Sequence, residues 1–153
     1  MMPQDSDAAL GSLIYDIDQA ETQIVGAIYS FTHRKISKAL KNAAARGVHI
    51  TLLMDAKSNI NNRHSRIGDL AKIRNIDIRT ISGLPAKKGN YSGKMHMKAL
   101  VIDTKLVYFG SANWSNSAFG LNYESLFKTD SPAIVTIYRQ SILDLFDLGK
   151  SYY

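Results

Sequence analysis

The sequence predicts an α/β fold in which a mixed, largely parallel sheet is sandwiched between helices. Short apolar segments rich in β-branched residues alternate with segments whose apolar residues recur at helical spacing. Two of the predicted strands flank a predicted helix, and such a strand–helix–strand unit favours parallel pairing with a right-handed crossover. The 153 residues contain no repeat, linker or low-complexity tract, which indicates a single domain over 1–153.

The first helix is predicted to begin at Ser6 or Asp7, either of which can cap it. Apolar residues follow at helical spacing from Leu10 to Ile17. Because the first residues lead straight into this helix and lack a secretory signal, we expect that a natural leader has been trimmed.

A strand–helix–strand unit follows. Residues 22–31 and 48–55 are short, apolar and partly β-branched, which predicts two buried strands. Between them, residues 32–47 predict a helix with Thr32 as a possible cap and Gly47 as its stop.

The rest of the chain predicts a polar loop (59–66), a short helix (67–73), a strand (76–81) and a second loop (82–94). The two strands of a hairpin (95–103 and 105–111), a further strand (122–129) and a final helix (131–149) are predicted to follow. The final helix has Ser131 as its predicted cap, Pro132 at its first position and Gly149 at its end.

The charge of the chain is distributed unevenly. The net charge is +6, but residues 34–98 hold 15 Lys and Arg against three acids, a net charge of +12. Residues 1–33 hold five acids and no Lys or Arg. A block this basic predicts a polyanionic partner, either nucleic acid or an anionic lipid surface.

Several classes of protein are disfavoured by composition. The sequence has no cysteine, which excludes thiol nucleophiles, cysteine zinc sites and disulfides. It has no cluster of His or Asp at metal-ligand spacing, so no metal site is predicted. No apolar run approaches the roughly 18 residues that span a bilayer, so we expect no stable membrane insertion.

The segment "KMHMKALVID" (94–103) places polar residues in an otherwise apolar predicted strand. Because side chains alternate faces along a strand, His96 and Lys98 share one face while Met95, Met97 and Ala99 pack on the other. Downstream, residues 110–125 supply serine, asparagine and glutamate side chains. A nucleophilic histidine, a cation for phosphoryl oxygens and nearby hydrogen-bond donors are what phosphodiester cleavage needs.

The pattern His-x-Lys-x4-Asp in "HMKALVID", followed by "GSANWS" (110–115), resembles the phospholipase D superfamily. The later Asn122 and Glu124 make the match similar to its small bacterial endonucleases that carry one such motif. The resemblance runs along the whole chain in element order. It implies the phospholipase D/nuclease fold and chemistry without a metal or other cofactor.

The resemblance also implies roles for individual residues. His96 would be the nucleophile and form a phosphohistidine, and a second His96 from another subunit would protonate the leaving oxygen. Lys98 and Asn113 would hold the phosphoryl oxygens, and Ser111 would support that pocket. Glu124 would orient His96 through its other ring nitrogen, although a plain strand-end carboxylate is the alternative.

Asp103, the last residue of the motif, is expected to be its most structural member. It lies at the predicted hairpin turn between Asp103 and Lys105, where a carboxylate can accept bonds from local backbone N–H groups. A direct role in catalysis is the alternative.

The active site of the superfamily uses two such motifs, and this chain contains one. We therefore expect a homodimer that pairs two motifs across a twofold axis. The remaining histidines do not repeat the motif. His49 is expected to be structural, and His33 could line the cleft without an assigned role.

The substrate is expected to be nucleic acid, DNA or RNA. Lysines that could track a phosphate backbone and aromatic rings that could stack on bases lie close to the motif. Ser115, the last residue of "GSANWS", is included with them. The predicted substrate-binding residues are Lys87, Lys88, Lys94, Tyr91, Trp114 and Ser115. A lid or interface residue is the alternative for Trp114.

Two other functions stay open at this point. A lipid phosphodiesterase would be expected to show an apolar insertion surface, and a DNA-binding protein without cleavage would have no use for a nucleophile with an orienting acid. The resemblance also implies export to the periplasm or the medium, because a non-specific nuclease would damage its own cell.

Overall fold

The computed structural model describes residues 2–153, so Met1, which belongs to the predicted domain, lies outside the described residues. The helices are α1 (Ser6–Asp18), α2 (Arg34–Ala45), α3 (Ala56–Asn59), α4 (Ile67–Leu70) and α5 (Pro132–Leu148). The strands are β1 (Gln23–Ile28), β2 (His49–Asp55), β3 (Ile76–Ile81), β4 (Lys98–Ile102), β5 (Leu106–Gly110), β6 (Leu126–Thr129) and β7 (Lys150–Ser151).

The strands form one sheet in the order β6-β5-β4-β1-β2-β3-β7. Strands β1, β2 and β3 pair in parallel, and the other neighbours pair antiparallel. Four strands, β1, β2, β3 and β5, therefore point in one direction and three in the other. The predicted mixed sheet between helices is confirmed.

The two faces of the sheet bury separate apolar cores. Neighbouring residues of β1 divide between them, since Ile24 packs with the cluster under α1 and α2, and Val25 packs with the cluster under α5. Helix α2 buries Ile36, Leu40 and Ala43, which fall on one face at helical spacing. Its lysines stay on the exposed face, so packing on the sheet leaves a basic stripe on the surface.

Several elements begin or end earlier or later than predicted. Strand β1 stops at Ile28 because the chain then turns to pair Phe31 with Trp114 in an isolated bridge. Helix α2 has His33 at its N-cap position instead of Thr32, since the N–H groups of both residues donate to the Trp114 carbonyl. Strand β4 begins at Lys98 and not at Met95.

Helix α1 and strand β6 also begin at residues other than those predicted. Asp5 occupies the N-cap position of α1, so the predicted caps Ser6 and Asp7 lie in its first turn. Strand β6 begins at Leu126, which leaves Asn122 and Glu124 in the preceding loop.

Two short elements were not predicted, and one is shorter than predicted. Helix α3 is a single turn whose N-cap carboxylate, from Asp55, accepts a hydrogen bond from the Ser58 N–H. Strand β7 has two residues, and α4 ends at Leu70 instead of continuing to Ile73. Elements of two to four residues carry too little periodicity to be recognised. In residues 2–153, no helix has the length and apolar character needed to cross a bilayer.

Candidate active site

The candidate site lies at the edge of the sheet where the parallel strands end. Lys98, the first residue of β4, pairs with Ile28, the last residue of β1. His96 lies two residues before Lys98 at the same edge. Carboxyl ends of parallel strands commonly form ligand sites, because the loops that follow them diverge there.

His96 presents an exposed imidazole at this edge. Met95, Met97 and Ala99 belong to or pack against the apolar cluster under α5, so the predicted alternation of faces is confirmed. The His96 ring meets the edge of the Tyr29 ring at a centroid distance of 4.6 Å. This contact holds one side of the imidazole and leaves the rest open to solvent.

Lys98 is a nearly buried cation beside His96. Its side chain is 8% exposed, and its Nζ donates a 2.7 Å hydrogen bond to the His96 carbonyl. The Nζ also lies 5.2 Å from the Tyr29 ring centroid, a cation–π distance. Burial lowers the pKa of Lys98 from its ordinary value, Glu124 opposes that shift, and Lys94 adds to it.

The electrostatic surroundings of His96 favour its neutral form. Partial burial lowers its pKa, the charges of Lys98 and Lys94 lower it further, and the carboxylate of Asp55 opposes them. A neutral imidazole at neutral pH has a free lone pair on one ring nitrogen. The lowered pKa therefore favours the form of His96 that can act as a nucleophile, and the Lys98 cation lies next to it.

Ser111 and Glu124 meet where β5 ends and β6 begins. The Ser111 hydroxyl donates to the Glu124 carboxylate and accepts a 3.0 Å hydrogen bond from the Ser125 N–H. The amide of Asn122 donates to the other Glu124 oxygen at 3.2 Å. In the described chain the Glu124 carboxylate therefore bonds Ser111 and Asn122, and not His96 as predicted.

Gly110 explains why the strand ends can approach this closely. Its φ is +154°, and a Cβ there would lie 2.2 Å from the Ser125 carbonyl oxygen. Only glycine fits this position, so the Gly-Ser of "GSANWS" is what lets Ser111 reach Glu124.

Asn113 lies half-buried in the loop after β5. Its Oδ1 is buried and has no hydrogen-bond partner among residues 2–153. Buried amide oxygens are normally paired, so this unpaired oxygen is an exception. Its predicted contact with a phosphoryl oxygen, through the amide nitrogen, stays a prediction.

Asp103 does not lie at this site, which corrects its inclusion among the catalytic residues. It follows the far end of β4, five residues from Lys98 and so about 16 Å away along the strand. Its carboxylate accepts hydrogen bonds from the backbone N–H groups of Glu21, Thr22 and Gln23. The expectation that it is structural agrees with this placement.

The prediction that Trp114 binds the substrate is also wrong. Its side chain is 3% exposed and packs edge-on against Phe31 at a centroid distance of 4.9 Å, so it offers no face to a base. Ser115 serves its own turn, because its hydroxyl accepts a hydrogen bond from the Ala118 N–H and contacts Ser117.

The predicted binding loop forms a hairpin-like arm. The Gly83 and Gly93 backbones pair at its base, and the Ala86 N–H donates to the Tyr91 carbonyl near its tip. Lys87, Lys88 and Tyr91 are exposed on this arm, and Tyr91 is 72% exposed. Of the three predicted lysines, Lys94 is the one whose charge acts on His96 and Lys98.

Two residues at this edge were missed by sequence reasoning. Tyr29 follows β1 and touches His96. Asp55 ends β2, is fully buried, and accepts a 3.0 Å hydrogen bond from the Met95 N–H, the residue before His96. Their position directly after or at the end of two parallel strands was the signal that could have identified them.

In the part of the chain that the structure describes, no three His, Cys, Asp or Glu side chains are grouped so that they could hold a metal ion.

Comparison with known proteins places this geometry in a family. The family model described as "Cardiolipin synthase, PLD-like domain" matches residues 13–145. The structure of NucT from Helicobacter pylori superimposes with a TM-score of 0.88 at 44% identity, covering 94% of this chain and 92% of NucT. Nuc from Salmonella typhimurium, described as a phospholipase D family member, gives a TM-score of 0.79 at 29% identity, covering 94% of this chain and 90% of Nuc.

A curated relative is longer. Phospholipase D from Rickettsia conorii is 30% identical over 129 residues, which cover 84% of this chain and 59% of the relative. The chain thus spans about three-fifths of the length of such relatives. From the family match and the two close structural neighbours, the chain belongs to the phospholipase D superfamily and has the fold of its Nuc-type members.

Proposed function

We propose that this chain is a metal-independent phosphodiesterase that cleaves nucleic acid through a phosphohistidine intermediate. The observation that carries the proposal is the pair of His96 and Lys98 at the open edge of the sheet. The surroundings of His96 lower its pKa, and the Lys98 ammonium lies against its backbone. A neutral nucleophile with an adjacent cation suits attack on an anionic phosphodiester.

The proposed reaction has two displacements at phosphorus. A ring nitrogen of His96 attacks, an N–P bond forms, and the P–O bond to the leaving oxygen breaks. A protonated His96 of the partner subunit gives its proton to that oxygen. The same imidazole, now neutral, takes a proton from water, and the hydroxide breaks the N–P bond and releases a phosphomonoester.

The second histidine is the reason for a homodimer in this proposal. The sequence contains one His-x-Lys-x4-Asp motif, and the reaction needs a nucleophile and an acid on opposite sides of phosphorus. A twofold axis through the site would supply both from identical chains. The two imidazoles would then titrate as a coupled pair.

Charge supports nucleic acid as the substrate. The exposed lysines of α2, the loop residues Arg63 and Arg66, and the lysines of the hairpin-like arm belong to the +12 block of residues 34–98. Contacts with phosphates supply most of the non-specific affinity for nucleic acid. The 44% identity with NucT over nearly the whole chain supports the same proposal.

The proposal is tested by cleavage assays in EDTA. The substrates are single- and double-stranded DNA, RNA and phospholipid vesicles. The variants are His96→Ala and, as a matched control, His49→Ala, since His49 is an exposed histidine at the opposite end of the parallel strands. We expect cleavage of nucleic acid that survives EDTA and His49→Ala and is lost in His96→Ala. Turnover of lipid alone, binding without cleavage, or loss of activity in EDTA would each contradict the proposal.

A further inference from the structure

A cavity of about 380 Å³ lies beside the N-terminus of α2, apart from the His96–Lys98 pair. Its wall includes His33, Arg34 and Lys35 from α2 and its cap, and Asn116 from the loop after β5. Arg34, Lys35 and Asn116 are exposed, so the cavity opens to solvent.

His33 is the unusual residue in this wall. Its side chain is only 6% exposed, and its Nδ1 is buried without a hydrogen-bond partner among residues 2–153. Buried polar atoms in folded proteins are nearly always paired, and this unpaired ring nitrogen belongs to a residue that lines the cavity. The ring is held in place because it packs edge-on against Phe119 at a centroid distance of 5.7 Å.

The helix end next to His33 is suited to an anion. Helix α2 has 12 residues, no side chain caps its N-terminus, and no acidic residue lies in its first turn. The positive end of the helix dipole and the free N–H groups of the first turn favour negative charge there. Arg34 and Lys35 add two cations, against the single carboxylate of Asp7 in the cavity wall.

Burial and the charge of Lys35 lower the pKa of His33, which favours the neutral ring. A neutral imidazole still donates one N–H. The site therefore combines a neutral ring donor with two flexible cations.

We propose that this cavity is a phosphate subsite that holds a phosphodiester flanking the one at His96; the assignment to nucleic acid rests on the proposed function. His33 follows Tyr29 by four residues, so their Cα atoms lie at most about 14 Å apart, and Tyr29 contacts His96. One strand of nucleic acid can therefore reach both the cavity and His96. The subsite fixes the position of the backbone and carries no sequence information.

The test compares two substrates, a single-stranded DNA oligonucleotide and bis(p-nitrophenyl) phosphate, which has one phosphate. The variants are His33→Phe, which keeps an aromatic ring, and Lys35→Ala. Arg74→Ala is the charge-matched control, because Arg74 is exposed just before β3 at the opposite end of the sheet. We expect both variants, but not the control, to lower the ratio of oligonucleotide to small-substrate kcat/KM by about fivefold or more. A ratio that stays unchanged, either because neither kcat/KM falls or because both fall by the same factor, would overturn the subsite.

A second measurement separates this proposal from the proposed function. In the His96→Ala background, inorganic phosphate should shift the NMR signals of the His33 ring, and Lys35→Ala should weaken that response. If wild-type protein cleaves no nucleic acid but phosphate shifts His33, the proposed function fails and the anion site stands. If phosphate leaves the His33 signals unchanged, the subsite is refuted.

Discussion

The replacement Asp103→Asn should destabilise the fold while leaving the chemistry at His96 intact. One Asp103 oxygen accepts from the Thr22 N–H and hydroxyl at 2.8 Å and from the Gln23 N–H at 3.0 Å. The other accepts from the Glu21 N–H at 2.8 Å. These four bonds tie the start of β1 and the two residues before it to the β4–β5 turn. Asparagine is a matched replacement, since Asp103 has φ of 51° and asparagine tolerates that region.

The magnitude follows from the bonds that change. A hydrogen bond to a charged group contributes about 1.5–3 kcal/mol and a neutral one about 0.5–1.5. Asparagine keeps one acceptor oxygen, makes its remaining bonds neutral, and places an NH₂ group against the Glu21 N–H. We expect the free energy of unfolding to fall by about 3 kcal/mol and the Tm by about 6–12 °C for a domain of this size.

The pH dependence of this loss of stability tests whether the Asp103 carboxylate stabilises the fold in its charged form. Burial would raise the pKa of Asp103, but hydrogen bonds from Gln23, Glu21 and Thr22 outweigh it and lower the pKa below its usual 3.8. Because the folded pKa is lowered, the stabilisation is present above the unfolded pKa and is lost as the pH falls through the folded one. The difference between wild type and variant in urea unfolding should therefore be full at pH 7 and shrink below about pH 4.

The result that would refute this reasoning is a variant as stable as wild type that has lost its activity. Asp103 would then act on the chemistry, in spite of its place at the far end of β4.

Three further predictions concern the surroundings of His96. Lys94→Gln removes a charge that lowers the His96 pKa, so the acidic limb of kcat/KM should move to higher pH. Asp55→Asn removes the opposing carboxylate, so the same limb should move to lower pH; equal directions for the two variants would contradict the account. Tyr29→Ala removes the ring against His96 and Lys98 and should lower kcat/KM about 3- to 30-fold, whereas Tyr29→Phe should stay close to wild type. Steady-state kinetics across pH measure all three.

The order of the large elements could be predicted because each has a strong period. Helix α2 repeats apolar residues at helical spacing, and β2 and β3 are short β-branched runs. The ends of elements could not be predicted, since they depend on tertiary contacts. Strand β1 ends where Phe31 turns to meet Trp114, and nothing in the local sequence announces that partner.

Part of the site could also be predicted from the local sequence pattern. His96 and Lys98 stand out because they break an apolar pattern. Trp114 was misplaced because an aromatic residue in a polar loop gives no indication of whether its ring faces solvent or, as here, the core. Asp55 was missed because its role is a hydrogen bond to the Met95 N–H, forty residues further along the chain.

The most direct test of the account is to identify the residue that becomes phosphorylated during turnover. Protein in EDTA is mixed with an oligonucleotide that carries radioactive phosphorus at a single scissile phosphodiester, and the reaction is quenched in alkali because the N–P bond is labile in acid. We expect label on the peptide that contains His96 and none in His96→Ala. Label on another residue, or cleavage by His96→Ala at the wild-type rate, would contradict it.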